Sequence, residues 1–275
     1  MMRNILFLIA FFWCFNALSQ EEPIYTYRQK DSTLIISGKG VIQHYDVNKY
    51  SKKCVRVIIK EGIEGIQFGS FYGFRFMKEI QFPNTLRYIG KDAFCHCTSL
   101  KSVELPPKVR GIMESFIECD NLKSITFPDT IYIDLRAFQD CKKLKKLSFV
   151  YLSGFSSSYL EGCESMESIE VKDSTCPYKT RDGVLYRDDR VIIYPYAKKD
   201  KSYRFPDSIR MIEMLKNPYV EEIYVSDDIW KIYLHPCENL KVIRSENKIF
   251  YEKNDEGIKM DSLVIQVTRH GRPLR

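Results

Sequence analysis

Residues 100–121 read LKSVELPPKVRGIMESFIECDN, and residues 122–143 read LKSITFPDTIYIDLRAFQDCKK. Laid under one another, these two stretches decide the fold. Leucine, a β-branched residue, an aromatic or leucine, proline, phenylalanine and cysteine recur at the same places 22 residues apart. The register extends to both sides, with cysteines at Cys97, Cys119, Cys141 and Cys163. Three residues before each stands Phe94, Phe116, Phe138 or Leu160, and three after stands Leu100, Leu122, Leu144 or Met166. Self-similarity at a period of roughly 20 to 29 residues is the mark of a solenoid in which each coil is one supersecondary unit. No coil can bury its apolar side alone, so stability comes from stacking neighbours.

The fold class predicted from this spacing is an α/β-type repeat solenoid of the leucine-rich-repeat kind, with one short parallel strand per 22–23-residue coil. In each L-x-x-I-x-F segment the first, fourth and sixth residues face the core, and the third and fifth face outward because strand side chains alternate. Proline follows where no ladder donor is needed. An earlier coil fits the same frame with Cys54, Val57, Ile59, Ile63, Ile66 and Phe71, Phe74 taking the cysteine position.

Residues 1–19 read as a secretory signal peptide: Arg3, then an apolar run from Ile5 to Phe15, then Ala17-Leu18-Ser19. The expected organisation is then an N-terminal β cap over 20–53, a solenoid over 54–267, and a tail over 268–275. Within the solenoid, a β-hairpin insert at about 176–200 is expected from Asp182-Gly183-Val184-Leu185-Tyr186, a charged turn, and Val191-Ile192-Ile193-Tyr194. A C-terminal cap at about 245–267 is expected from Ile249-Phe250-Tyr251 pairing across Asp255-Glu256-Gly257 with Leu263-Val264-Ile265. No later segment is apolar over the length a membrane span needs. The chain is therefore expected to be exported, whether periplasmic, surface-displayed or secreted.

The formal net charge is +6, spread along the chain. Short runs such as Lys142-Lys143, Lys145-Lys146 and Lys198-Lys199 read as solvated faces, and no basic stripe calls for nucleic acid. Eight cysteines remain beyond the leader. At equivalent positions of successive coils they point the same way into the core, where free cysteine behaves as a small hydrophobe. A buried thiol ladder is expected in preference to disulfides.

The P-x-x-[LVI]-x-x-I-x-x-x-[AS]-F-x-x-C-x-x-L unit resembles that of the BspA-like bacterial surface leucine-rich repeats. So do the Gly183-Val-Leu-Tyr186 segment and the N-terminal Leu34-Ile-Ile-Ser-Gly38-Lys-Gly40, followed by Lys60-Glu-Gly-Ile63. The resemblance covers roughly residues 32 to 267. It implies an exported or surface-displayed protein and, for several members, adhesion to host proteins.

Chemistry-bearing constellations are sparse. Cys95-His96-Cys97 is the nearest approach to a metal set, but three or four ligands are needed, and Cys95 and His96 read as an exposed turn thiol and imidazole. The serines at 153 and 156–158 lack the strand–turn–helix setting of a nucleophile elbow. Gly38-Lys39-Gly40 has too few glycines for a phosphate loop. Asp182, Asp188 and Asp189 lack calcium-loop spacing. No catalytic, cofactor or metal residues are expected. The candidate binding residues are the outward strand positions Glu79, Gln81, Ser102, Glu104, Ser124, Thr126, Lys146, Ser148, Ser168, Glu170, Glu222 and Tyr224. Together they would form one face about 35 Å long at about 4.8 Å per coil, suited to a host or envelope protein. A polysaccharide is the alternative partner, carried by Tyr178, Tyr186, Tyr194, Tyr196 and Tyr203, side chains that read equally as packing of the insert onto the solenoid. A structural envelope component with no discrete ligand is the third reading. Irregular coils at 209–220 are where a pocket could hide.

Overall fold

The computed structural model describes residues 22–134, 137–153, 160–254, 257–260, 265–269 and 272–273. The expected leader at 1–19 and the serines at 156–158 lie outside them. The chain forms a β-solenoid of about nine turns. The L-x-x-I-x-F segments form one row of parallel strands, a first sheet paired as three separate ladders: Arg56–Ile59 with Glu79–Gln81, Ser102–Glu104 with Ser124–Thr126, and Lys146–Phe149 with Ser168–Val171. Their registers put Val57 beside Ile80, Val103 beside Ile125 and Leu147 beside Ile169. The middle residue of each of these pairs is buried, as the alternation requires.

Two parts of the predicted class are corrected. Each coil has a second strand, which pairs in parallel with its counterparts: Ile63–Ile66, Tyr88–Ile89, Gly111–Met113, Thr130–Asp134 and Tyr151–Ser153. Two of these bury a single inward isoleucine, Ile89 and Ile112, too short an alternation to read as a strand. The α/β label also fails. Helix among the described residues amounts to His44–Val47 and the 3-10 turns Gln29–Asp31 and Asn48–Tyr50. The side of the coil opposite the first sheet is strand and turn.

The third side is held by backbone bonds between turns. Phe71, Phe94 and Phe116 N–H groups donate to the carbonyls of Ala93, Ser115 and Ala137 in the next coil. Two residues on, Gly73, His96, Glu118 and Asp140 do the same, to Cys95, Ile117, Gln139 and Glu161. Those residues and Gly162 form a column with positive φ, from 56° to 77°. Inside, Phe71, Phe94, Phe116 and Phe138 stack with centroids 5.4, 5.2 and 6.1 Å apart and nearly parallel planes. Burying each ring contributes about 1.5–3 kcal/mol.

At the N-terminus, Ile24–Arg28 pairs antiparallel with Thr33–Ser37. In the middle, Tyr178–Arg181, Val184–Arg187 and Arg190–Ile193 form an antiparallel meander. Its last strand then pairs in parallel with Met211–Leu215. The meander lies between two cores. Leu185, Ile192 and Ile193 pack into the core before it, and Val184, Tyr186, Val191 and Tyr194 into the core after it.

The C-terminal end differs from its expected pairing. Ile249–Asn254 pairs antiparallel with Val242–Arg244 and with Gly257–Met260. Ile265 belongs instead to the sheet that continues from the meander through Met211–Leu215, beside Ile232 of Lys231–Leu234. The tail is partly ordered by pairing, since Thr268 and Arg269 lie opposite Pro273 and Arg272. Polar sequence without period gave no sign of that pairing.

Candidate functional site

The outward positions of the first sheet lie where alternation puts them. Glu79, Gln81, Ser102, Glu104, Ser124, Thr126, Lys146 and Glu170 are exposed, and Ser148 and Ser168 half-buried. Register aligns Ser102 with Ser124, Glu104 with Thr126, Lys146 with Ser168 and Ser148 with Glu170. The Ser148 hydroxyl donates to Glu170 at 2.8 Å, and Arg56 closes on Glu79 at 2.8 Å. Small hydroxyls at the centre leave a shallow polar strip flanked by carboxylates.

The strip does not run the length of the molecule. The Ile169 N–H donates to the Gly183 carbonyl, so the meander covers the far edge of Ser168–Val171. The first-sheet row restarts at Ser202–Arg204, which pairs with Glu222–Tyr224, and that strand in turn with Val242–Arg244. Glu222 and Tyr224 therefore belong to a separate sheet. Tyr224 is half-buried between the Arg204 and Arg244 guanidiniums, 5.0 and 4.9 Å from its ring centre, and its hydroxyl donates to Glu222 at 3.1 Å. That ring is already engaged on both faces.

The tyrosine cluster is not a surface. Tyr178, Tyr186, Tyr194 and Tyr203 are all buried, and Tyr196 is half-buried. Tyr186 and Tyr203 share a hydroxyl–hydroxyl bond of 2.9 Å inside. These side chains pack the meander against the second core, which removes the support the polysaccharide reading drew from them. The sequence signal was there: Val184-Leu185-Tyr186 and Val191-Ile192-Ile193-Tyr194 are apolar at consecutive positions, the pattern of strands buried on both faces.

The irregular coils at 209–220 are filled. Asn217 is fully buried. Its amide nitrogen donates to the carbonyls of Pro195, Tyr196 and Lys198 at 3.0, 2.9 and 2.8 Å. Its oxygen accepts from the Tyr219 and Val220 N–H groups.

The other constellations resolve into structural roles. Cys95 is buried, not exposed, with its thiol 2.9 Å from the Glu114 carbonyl oxygen. His96 Nδ1 lies 2.8 Å from a Glu118 carboxylate oxygen. Cys97, Cys119, Cys141 and Cys163 donate to the carbonyls of Phe71, Phe94, Phe116 and Phe138 at 3.0–3.2 Å. Burial pushes all four thiols up, so they are poor nucleophiles and ligands. All eight cysteines are free thiols. Asp182, Asp188 and Asp189 lie near Arg181, Arg187 and Arg190 on exposed turns. Among the described residues no group of histidine, cysteine and carboxylate side chains is placed to hold a metal, and no helix is long and apolar enough to cross a membrane.

One alignment went unread in the sequence. The lysine after the first strand leucine or methionine recurs as Lys78, Lys101, Lys123 and Lys145. The solenoid stacks these four in a column beside the serine strip, and all four are exposed. The signal was the 22-residue period applied to a polar position.

Solved structures share the fold. A leucine rich cell surface protein of Faecalibacterium prausnitzii is 17% identical with a TM-score of 0.56, over 83% of this chain and 77% of its own. The pneumococcal vaccine antigen PcpA is 17% identical with a TM-score of 0.58, over 82% and 70%. A leucine-rich repeat protein of Eubacterium ventriosum is 15% identical with a TM-score of 0.50, over 83% and 71%. No curated protein matches the sequence. Residues 49–178 match the model of the BspA type leucine rich repeat region in six copies. That match, on coils whose phenylalanine and cysteine ladders carry the same repeat unit, identifies residues 49–178 as a BspA-type leucine-rich-repeat region.

Proposed function

We propose that this chain is an exported, non-catalytic recognition module that binds a protein of the host or of the cell envelope. The strip Ser102, Ser124, Thr126 and Ser148, edged by Glu104 and Glu170, is the contact surface. The observation that carries the reading is the geometry of that strip: small polar side chains, exposed at Ser102, Ser124 and Thr126 and half-buried at Ser148, on parallel strands whose backbone a partner can approach closely. Repeat solenoids present such extended surfaces for protein contact. The buried state of the thiols and of four of the five clustered tyrosines supports a role without catalysis.

The test is capture from host-matrix and envelope protein fractions on the chain from Gln20 onward, immobilised through its C-terminus. A saturable partner, competed by the soluble chain and lost on Glu104→Lys/Glu170→Lys while thermal unfolding is unchanged, supports the reading. Binding indifferent to those reversals rejects this strip as the surface. An empty result from both fractions favours a structural envelope component.

A further inference from the structure

We propose that the column Lys78–Lys101–Lys123–Lys145 is a binding track for a linear anionic glycan, one whose sugars each carry a sulfate or carboxylate. The backbone shows how closely the four are tied. The Lys101 N–H donates to the Lys78 carbonyl at 3.4 Å, Lys123 to Lys101 at 2.8 Å and Lys145 to Lys123 at 3.5 Å. Each lysine thus stands directly on the one in the preceding coil, about 4.8 Å away. Like charges directly opposite on neighbouring strands work against the stacking.

Elsewhere this molecule sets opposite charges against one another between coils. Arg56 meets Glu79, Lys91 meets Glu114, and Lys201 and Lys241 flank Glu221. In the lysine column that happens at its end alone, where Lys145 reaches Glu167 at 2.9 Å. Among the described residues, Lys78, Lys101 and Lys123 have no side-chain hydrogen bond or ion pair. Lys146 and Lys143 are exposed beside them, and Arg75 is exposed near the Lys78 end. The nearby Asp120 is taken by Lys142 at 3.1 Å. A row of unpaired cations that the fold does not need, held in fixed register, is complementary to a polyanion.

The spacing selects among polyanions. A linear glycan charged on every sugar carries about one anion per strand spacing, so its charge density matches that of the lysine column. An extended acidic peptide repeats its same-side carboxylates at about 6.8 Å, twice the strand rise, and drifts out of register. Single-stranded nucleic acid wants rings on which bases stack. Lys101 and Lys123 are flanked instead by Ser99, Asn121, Ser102 and Ser124. This inference does not rest on the protein-recognition reading, because it concerns the neighbouring column and its own ligand.

The experiment is biolayer interferometry of the full chain, expressed without residues 1–19, against a heparin oligosaccharide and polygalacturonate. An oligothymidylate and polyglutamate are run beside them. The expected result is glycan binding that weakens steeply between about 50 and 200 mM salt, as displacement of counterions from a polyanion requires. Lys101→Ser/Lys123→Ser should weaken it about tenfold or more. Lys101→Arg/Lys123→Arg should keep it, as should the remote control Lys172→Ser/Lys248→Ser. Glu104→Lys/Glu170→Lys, which would abolish partner capture by the strip, should leave glycan binding unchanged or tighter. The urea midpoint of the serine variant should hold or rise as repulsion is relieved. No binding to either glycan, equal binding by the serine variant, equal affinity for the oligothymidylate or polyglutamate, or a lower urea midpoint would each overturn the proposal.

Discussion

The Cys119 thiol donates to the carbonyl oxygen of Phe94, 3.2 Å away and one coil back. The same bond joins Cys141 to Phe116 and Cys163 to Phe138. The coils of Cys119 and Cys141 are therefore pinned to their predecessors by a buried sulfur and a stacked ring at once, and that of Cys163 by the sulfur. Cysteine suits this position because it fills a small apolar slot and still supplies a weak donor to a carbonyl.

Thiol reactivity follows from that burial. Cys237 alone among the eight is not fully buried. At pH 8 a disulfide reagent should modify Cys237 first, while Cys97, Cys119, Cys141 and Cys163 react only as fast as the protein unfolds. Mass spectrometry after a timed pulse reads this directly. Labelling of the four ladder thiols within the same pulse as Cys237 would contradict the ladder.

Stability should fall on the alkaline side. Burial pushes Cys54 and Cys237 up to about 11, and the four ladder thiols are raised by the same cause. In the unfolded chain a thiol ionises near 8.5. The native state therefore holds more protons above that value, and unfolding is favoured as pH rises. The contribution is complete below about pH 8 and is lost progressively above it, at about 1.4 kcal/mol per pH unit for each thiol ionised only when unfolded. Urea titrations under reductant from pH 7 to 10 should show a flat region and then a decline. Cys119→Ala/Cys141→Ala should make that decline shallower by about two thiols' worth.

What the sequence disclosed follows from which forces leave a period. The phenylalanine and cysteine positions recur because every coil must fill the same core slot, so Phe94, Phe116 and Phe138 could be read off by eye. The second strand was not legible because Ile89 or Ile112 alone faces inward there, and one buried residue makes no alternation. Tyr186 and Tyr194 read equally as a surface or as packing, because a tyrosine's polar end says nothing about its ring when both strand faces are covered, and the structure decides for packing. Asn217 has no repeat partner with its five bonds, so no pattern announced it. The strand positions from Glu79 to Glu170 face outward as alternation requires, and the break before Glu222 comes from the meander, whose depth between two cores no local rule supplies.

Gly73 and Gly162 occupy equivalent places in the positive-φ column, at φ 70° and 77°, and should respond differently to alanine. A Cβ on Gly73 meets nothing within 4 Å, whereas one on Gly162 would fall 2.1 Å from Asp140 Oδ1 and 2.9 Å from its Cα. Gly73→Ala should cost only the left-handed backbone penalty, about 1–2 kcal/mol. Gly162→Ala adds displacement of the Asp140 backbone and should cost about 3 kcal/mol or more. Chemical denaturation of both variants checks the order, and equal losses would mean the coils can shift apart freely.

Asn217 fastens the exit of the meander to the coil that follows it. Its side chain ties the segment after the meander, at Pro195, Tyr196 and Lys198, to the turn that starts the next first-sheet strand at Tyr219 and Val220. Asn217→Ala removes all five bonds and leaves buried carbonyl and N–H groups without those partners, at about 1–3 kcal/mol for each group that water cannot reach. The loss falls on the joint and not on either core: Phe116 and Phe138 keep their stack before the meander, and Ile223 and Ile243 theirs after it. Unfolding should therefore split into two steps, the segment from Ser202 onward melting first, with Trp230 fluorescence changing before the ladder thiols become reactive. Asn217→Asp is the sharper test. Its carboxylate can still accept from Tyr219 and Val220, but it has no N–H for the three carbonyls and places a charge in a dry site. It should decouple the cores at least as strongly as alanine. A single cooperative transition in both variants would show that the apolar contacts of Tyr186, Tyr194 and Tyr203 suffice to hold the halves together.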